Sequence, residues 1–163
     1  MTTIAIDVRG LPHPQGSMKA HPTGNGKVAM RYPPAVWQWR NQVQQAVAEK
    51  VIGTFTGPIE LWLGFDLPRP QTHYGSGGNT GRIRPSAPAW PTVRANDLDK
   101  LVRCICDAIT DAGLWRDDSQ VVVLHAAKRY IDTPPGVLIK VRELDAKHHG
   151  VSTRNQQSLS ESS

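Results

Sequence analysis

Asn96-Asp-Leu-Asp-Lys-Leu-Val-Arg-Cys-Ile-Cys-Asp-Ala-Ile-Thr-Asp-Ala-Gly-Leu-Trp-Arg-Asp-Asp-Ser-Gln120 is the stretch that decides the fold. Leu98, Leu101, Val102, Ile105, Ile109 and Ala112 recur at the spacing of one helical face, which predicts a helix over Asp99 to Ala112. Asp99, Arg103 and Asp107 fall on the other side at i, i+4 and i+8. Asn96 or Asp97 stands ready to cap the start, and Gly113 supplies the stop, with Leu114 and Trp115 folding back on the last turn. Asp117-Asp118-Ser119 reads as a turn, and Gln120 to Leu124 as a buried strand with a more polar continuation to Tyr130. The stretch therefore runs helix, turn, strand.

The same stretch is chemically odd. Six of the fourteen acidic residues lie between Asp97 and Asp118, in a chain of net charge +5. No acid occurs between Val8 and Ala48, where Arg9, Lys19, Lys27, Arg31 and Arg40 do. None occurs between Leu67 and Asn96, where Arg69, Arg82, Arg84 and Arg94 do. Basic surface without internal neutralisation is the footprint of a polyanion binder, or of a solubilising surface. Carboxylates gathered inside such a chain suit a divalent cation held against a phosphate backbone, because oxygen donors are the usual ligands of Mg²⁺. Ordinary cap and turn chemistry accounts for the same acids without a metal. Two residues apart on a helix differ by about 200°, so Asp97 and Asp99 share a ligand only if the helix begins at or just after Asp97. Asp118 joins them if the strand at Val121 pairs so that all three meet at one end of the sheet.

Outward from this block, Ile4, Ile6 and Val8 alternate as a first strand, followed by a Pro- and Gly-rich loop from Gly10 to Asn25. Pro33-Pro34 opens a helix to about Val51, with Val36, Trp39, Val43, Ala46 and Val47 on one face. Ile59, Leu61, Leu63 and Phe65 alternate as a strand, and Leu67 to Val93 is a long loop holding Gly75 to Gly81. Val137, Ile139 and Val141 form the last strand. The expected order is β-α-β-loop-α-β-β: a single α+β domain over residues 1–143, a mixed sheet with two main helices, then a disordered polar tail over 144–163. At 163 residues the chain has the length of one domain.

Several classes drop out. No apolar run reaches the ~18 residues of a membrane span, and Met1 to Gly10 lacks the features of a signal peptide, so a cytoplasmic protein is expected. Cys104 and Cys106 at i and i+2 on a helix diverge, which disfavours a disulfide, and no nearby pair offers zinc spacing. His148-His149 has no partner ligand. Trp37, Trp39, Trp62 and Trp115 fit core periods, whereas Tyr74 and Trp90 in the long loop are better placed to stack on bases.

The block from Asp97 to Val121 resembles the signature of the RusA-type Holliday junction resolvases, a family common in phages and prophages. That pattern reads D-x-D-N-L-x-K, a helix ending D-A-L-x-x-A-G, and a D-D-x-Q-V turn. This chain has Asp97-Leu98-Asp99, then Asp107-Ala108-Ile109, Ala112-Gly113, and Asp117-Asp118-Ser119-Gln120-Val121. The Pro12-His13-Pro14-Gln15-Gly16-Ser17 loop is also similar. Lys100 stands where the pattern has Asn, and Arg103 where it has Lys.

The resemblance implies a RusA-like fold and a homodimeric endodeoxyribonuclease, dependent on Mg²⁺ with Mn²⁺ able to substitute, that resolves four-way junctions by paired nicks. It implies Asp97, Asp99 and Asp118 as metal ligands and catalytic residues, with Asp117 a neighbour. Arg103 joins the catalytic set as a positive charge; its high pKa makes it a poor proton carrier, a task left to Lys100 if the family lysine performs one. Gln15, Ser17, Lys19, Arg69, Arg82, Arg84, Arg94 and Lys100 are the expected DNA-binding residues. A flap or fork nuclease, and a branched-DNA-binding protein that has lost turnover, are the alternatives.

Overall fold

The computed structural model describes residues 2–92 and 96–145. β1 (Thr3–Arg9) buries Ile6 and Val8 and leaves Asp7 and Arg9 outside, as its alternation requires. It pairs antiparallel with β6 (Gly136–Glu143), Ile6 opposite Ile139. β6 pairs antiparallel with β4 (Ile59–Pro68), and β4 pairs parallel with β5 (Val121–Ile131). The sheet order is β1-β6-β4-β5. A parallel pair needs a long crossover. Between β4 and β5 that crossover contains α2 (Leu98–Asp111).

α1 (Pro34–Ala48) and α2 pack together over one sheet face. Trp39, Val43 and Val47 meet Leu101, Ile105 and Ile109 above Leu61, Leu63, Phe65, Ile139 and Val141 in one continuous core. Proline enters α1 in its first turn, where no intrahelical N–H is lost. α2 ends as expected. Gly113 takes φ +77°, Leu114 and Trp115 are fully buried, and Trp115 Nε1 donates to Thr110 Oγ1 at 2.6 Å.

The other sheet face carries charge. Arg9 and Arg129 both bind the buried Asp66, and Arg142 and His125 both reach Glu60. Trp62 stacks with His125 at 5.3 Å, and the Arg142 guanidinium lies 5.0 Å from its ring. Pairing explains how these acids tolerate burial.

Four expectations need correction. The Gly10 to Asn25 loop and its sequel hold a hairpin, β2 (Lys19–Pro22) with β3 (Val28–Arg31), turning at Thr23 to Gly26. It was hidden because both strands are almost wholly exposed and so lack apolar alternation. The strand after Gln120 is an edge strand, not a buried one: Val122 is 61% exposed. Its valines read as interior because periodicity cannot tell a covered strand from a bare edge. Trp37 is exposed, on the outer side of α1 from Trp39, and Trp62 stacks on the charged sheet face, so neither is core. The long loop is structured, with short 3-10 turns at Gln71–His73 and Gly77–Asn79 and a Tyr74–Ile83 bridge. The expected disordered tail lies outside the described residues from position 146 onward, His148 and His149 with it.

Candidate active site

Asp97 occupies the cap position of α2 with extended backbone, and its carbonyl accepts Leu101 N–H at 3.0 Å. Its side chain does not cap the helix. The carboxylate turns to Lys100, whose Nζ lies 2.6 Å from Oδ2. That hydrogen bond and charge hold Asp97 below its usual carboxylate pKa and lift Lys100 above its usual one. Asp99 is exposed in the first turn of α2. The helix thus begins just after Asp97, as a shared use of Asp97 and Asp99 requires.

Gly16, Ser17 and Lys19 line one open groove with Asp97 and Lys100. Gln15 fixes this arrangement. Its backbone N–H donates to Lys100 O at 3.0 Å, and its side chain is fully buried. Gln15 Nε2 donates to Asp107 Oδ2 and Tyr32 Oη, and Arg40 Nη1 donates back to Gln15 Oε1. The Gln15 side chain is therefore a structural tie, not a phosphate contact, because every polar atom of its amide is taken inside the protein. Ser17 and Lys19 remain exposed beside the groove.

Asp118 stands elsewhere. It opens a 3-10 turn, Asp118–Gln120, that leads into β5. Asp117 caps this turn by accepting Ser119 N–H at 2.8 Å, which holds its carboxyl below the usual range. Gln120 completes the box by accepting from Asp117 N–H, takes Arg116 N–H as well, and its amide donates to Phe55 O and Gly57 O. The Asp117-Asp118-Ser119-Gln120 run is thus a capped turn in which Asp117 is occupied and Asp118 is exposed. Asp118 shares a cleft with Asp107, Thr110, Asp111 and Arg40, at the C-terminal half of α2.

The expected convergence of Asp97, Asp99 and Asp118 at one end of the sheet does not occur within one chain. Among the described residues no three His, Cys, Asp or Glu side chains are grouped closely enough to hold a metal ion. Helix geometry gives the reason: Asp97 and Thr110 lie at opposite ends of α2, on the order of 20 Å apart at about 1.5 Å per residue. The i, i+4 spacing of Arg103 with Asp99 and Asp107 is not used for an ion pair among the described residues. Arg103 is exposed, while Asp107 is bound by Arg40 and Gln15. Arg40 binds Asp111 as well. Nothing in the α1 sequence distinguished Arg40 from other surface cations.

In the long loop, Arg69 Nη1 donates to Pro88 O, and its guanidinium lies 4.5 Å from the Tyr130 ring. Arg84 Nε donates to Tyr74 O, and Tyr74 Oη bonds Asp132. These three side chains brace the loop. Arg82 is exposed and makes no ion pair among the described residues, and Trp90 is 66% exposed. Arg94 lies outside the described residues.

A family profile described as Endodeoxyribonuclease RusA matches residues 10–142. The chain belongs to the RusA family. It is also 30% identical over 154 residues to the uncharacterized protein YqaN of Bacillus subtilis (strain 168), across 90% of this chain and all of that one. RusA-family membership brings the activity class with it: endodeoxyribonucleases acting on branched DNA of the Holliday junction type. The single mixed α+β domain described above is consistent with a RusA-like fold. No described helix is long and apolar enough to cross a membrane.

Proposed function

We propose that this chain is a Mg²⁺-dependent, structure-selective endonuclease that cuts four-way DNA junctions by paired nicks as a homodimer, with Mn²⁺ able to substitute. The observation that carries the reading is Asp97, half-buried on a groove it shares with Ser17, Lys19 and Lys100, with Asp99 exposed two residues on in the first turn of α2. Carboxylate oxygens are the donors Mg²⁺ takes, so the residue types fit. One chain presents only two of the three at one place. A set of three is completed if Asp118 of the partner subunit joins Asp97 and Asp99.

When bound, the cation supplies a bound water of lowered pKa and stabilises charge developing on the phosphoryl oxygens. The chain's own residues do the positioning. The Gln15 tie holds Gly16 to Lys19 against the first turn of α2, where a hydroxyl and an ammonium can bind a phosphate. Arg103, one turn beyond Asp99, adds a guanidinium that forks onto phosphate but does not exchange protons near neutrality. A proton from the attacking water passes to a carboxylate of the pair.

The test is cleavage of a synthetic immobile four-way junction beside linear duplex, with Asp97→Asn and Asp118→Asn as controls. Symmetric nicks in the junction alone, lost in each variant, support the reading. Mixing the two inactive variants is the sharper experiment. Shared sites restore activity, because a mixed dimer holds one intact set; sites confined to one chain leave the mixture inactive. A panel with flaps and forks separates a resolvase from a flap or fork nuclease. The Lys100–Asp97 ion pair favours a second reading, a branched-DNA-binding protein without turnover; tight junction binding with no cuts under Mg²⁺ or Mn²⁺ is its signature.

A further inference from the structure

Large apolar side chains are left bare where the β2–β3 hairpin meets α1. α1 turns Val36, Trp39, Val43 and Val47 to the core, and Trp37 stands outside that stripe. Met18 is 44%, Met30 56% and Trp37 52% exposed, and with Tyr32 and Pro34 they line one cleft of about 610 Å³. Exposed Val28 lies on the same hairpin face as Met30, two positions away. Single exposed apolar residues are ordinary, but a contiguous group of this kind marks a contact surface.

The charge around the cleft shows what fits it. Arg31 lines it, Lys19 is the partner of Arg31 across the hairpin, and Lys27 follows the hairpin turn. All three are exposed and make no ion pair among the described residues. The whole lining comes from the segment between Val8 and Ala48, which contains no acid. Arg40, the other cation of the lining, is neutralised by Asp107 and Asp111 from α2. Asp117 and Asp118 lie beyond it, so that side offers a phosphate no charge. The ligand that suits the cleft is anionic and carries flat apolar rings. A DNA strand has both, phosphates for the cations and bases for the indole. Met18 also lines the groove of Asp97 and Lys100. The cleft and the candidate active-site groove therefore meet at one side chain, and one strand can enter both.

We infer that this cleft takes an unstacked base of branched DNA, with Trp37 as the stacking platform, Met18 and Met30 as apolar walls, and Arg31 and Lys19 on the flanking phosphates. The inference rests on the DNA-cutting reading above and adds to it a group that senses DNA structure. In linear duplex each base is stacked and paired, and moving one into the cleft costs both interactions. At a branch point the stack is already interrupted, so the cost is smaller. Selectivity for branched DNA then comes from Trp37, apart from the carboxylates that serve cleavage.

The test reads binding rather than cleavage. The probes are oligo-dT, a four-way junction and linear duplex, held in EDTA so that no strand is cut. Trp37→Ala should weaken binding of oligo-dT and of the junction by about fivefold or more, the loss of one stacked base, and change duplex binding by less than about twofold. Trp37→Phe should recover most of the loss because it keeps an aromatic face, and Trp37→Leu should not. Thermal unfolding should be unchanged in all three, since the side chain lies outside the core. Met30→Glu, at a second exposed position, should weaken oligo-dT binding in the same way. Irradiation of an iodouracil-substituted strand should cross-link it to Trp37. Unchanged affinity for oligo-dT and junction in Trp37→Ala and Met30→Glu overturns the cleft, and junction cleavage by the wild-type chain in Mg²⁺ then leaves the nuclease reading standing. Trp37-dependent oligo-dT binding by a chain that cuts no DNA keeps the cleft and overturns the nuclease reading. Recovery by Leu as fully as by Phe overturns the stacking role. A Trp37→Ala variant that sediments differently but binds DNA as before shows a protein contact in the cleft and overturns the inference.

Discussion

Lys100 Nζ lies 2.6 Å from Asp97 Oδ2, one turn along the same helix. A carboxylate expected to take a divalent cation is thus already held by a cation of its own chain, at the position where the family pattern has Asn. The sign of the pH dependence follows from both partners. Asp97 is shifted down from 3.8, so the pair persists above that value and is lost as pH falls through the lowered pKa. Lys100 is shifted up from 10.5, so its share is intact below that value and lost as pH rises through the raised pKa. Across neutral pH the pair is constant. Lys100→Asn should lower the Mg²⁺ concentration for half-maximal junction cleavage by about twofold to fivefold, the modest scale of an exposed pair. NMR titration should show Asp97 returning upward toward its ordinary pKa. An unchanged Mg²⁺ requirement would mean that Lys100 and the metal do not share Asp97.

Arg40 joins α1 to α2 by reaching Asp107, Asp111 and the buried Gln15. Removing it leaves the Gln15 carbonyl and Asp107 without their cationic donor. Arg40→Met should cost about 1–3 kcal/mol, the range for a partly buried charged hydrogen bond left unmade. Thermal unfolding checks this. Because the buried Gln15 amide anchors the Ser17 side of the groove to Asp107, Tyr32 and Arg40, Gln15→Met should also raise the KM for junction DNA more than it lowers kcat. Equal loss in both parameters would argue that the tie serves stability alone.

Cys104 and Cys106 belong to α2, the first buried and the second partly so, and burial raises both thiols from 9.0 to about 12. The folded protein therefore keeps protons there that the unfolded chain releases. Their contribution to stability is complete below pH 9 and declines as pH rises from 9 toward 12. Native protein should react slowly with a thiol reagent at pH 8, and denaturant should release two fast-reacting thiols per chain. A fast native thiol would place α2 further from the sheet than the structure does.

The helix of the acidic block was legible because Leu101, Ile105 and Ile109 repeat on one face and Gly113 ends it, features local to the sequence. The inward faces of β1, β4 and β6 were legible for the same reason. The sheet order was not, since adjacency of β6 to both β1 and β4 depends on contacts far apart in the chain. That order makes β5 an edge and sets Asp118 at the opposite end of α2 from Asp97. The acids could be picked out by type and spacing, but whether they meet is a property of topology. Gln15 shows the same limit: nothing local marks a glutamine as buried when its partners come from the β3–α1 link (Tyr32), α1 (Arg40) and α2 (Asp107).

The long loop offers a test of which arginines meet DNA. Arg69 is committed to Pro88 O and the Tyr130 ring, and Arg84 to Tyr74 O. Arg82 is exposed in the same loop. A cation that neutralises a phosphate releases counterions, so its loss lowers the steepness of log Kd against log salt by about one. Arg82→Ala should therefore weaken junction binding and reduce that slope by about one, with thermal stability unchanged. Arg69→Ala should instead lower the melting temperature, because a stacked guanidinium is removed from under the loop. Fluorescence anisotropy of labelled junction between about 50 and 200 mM salt measures the first, and a thermal melt the second. If Arg82→Ala leaves the slope unchanged while the Lys19→Ala variant lowers it, the DNA path follows the groove beside α2 and not the loop.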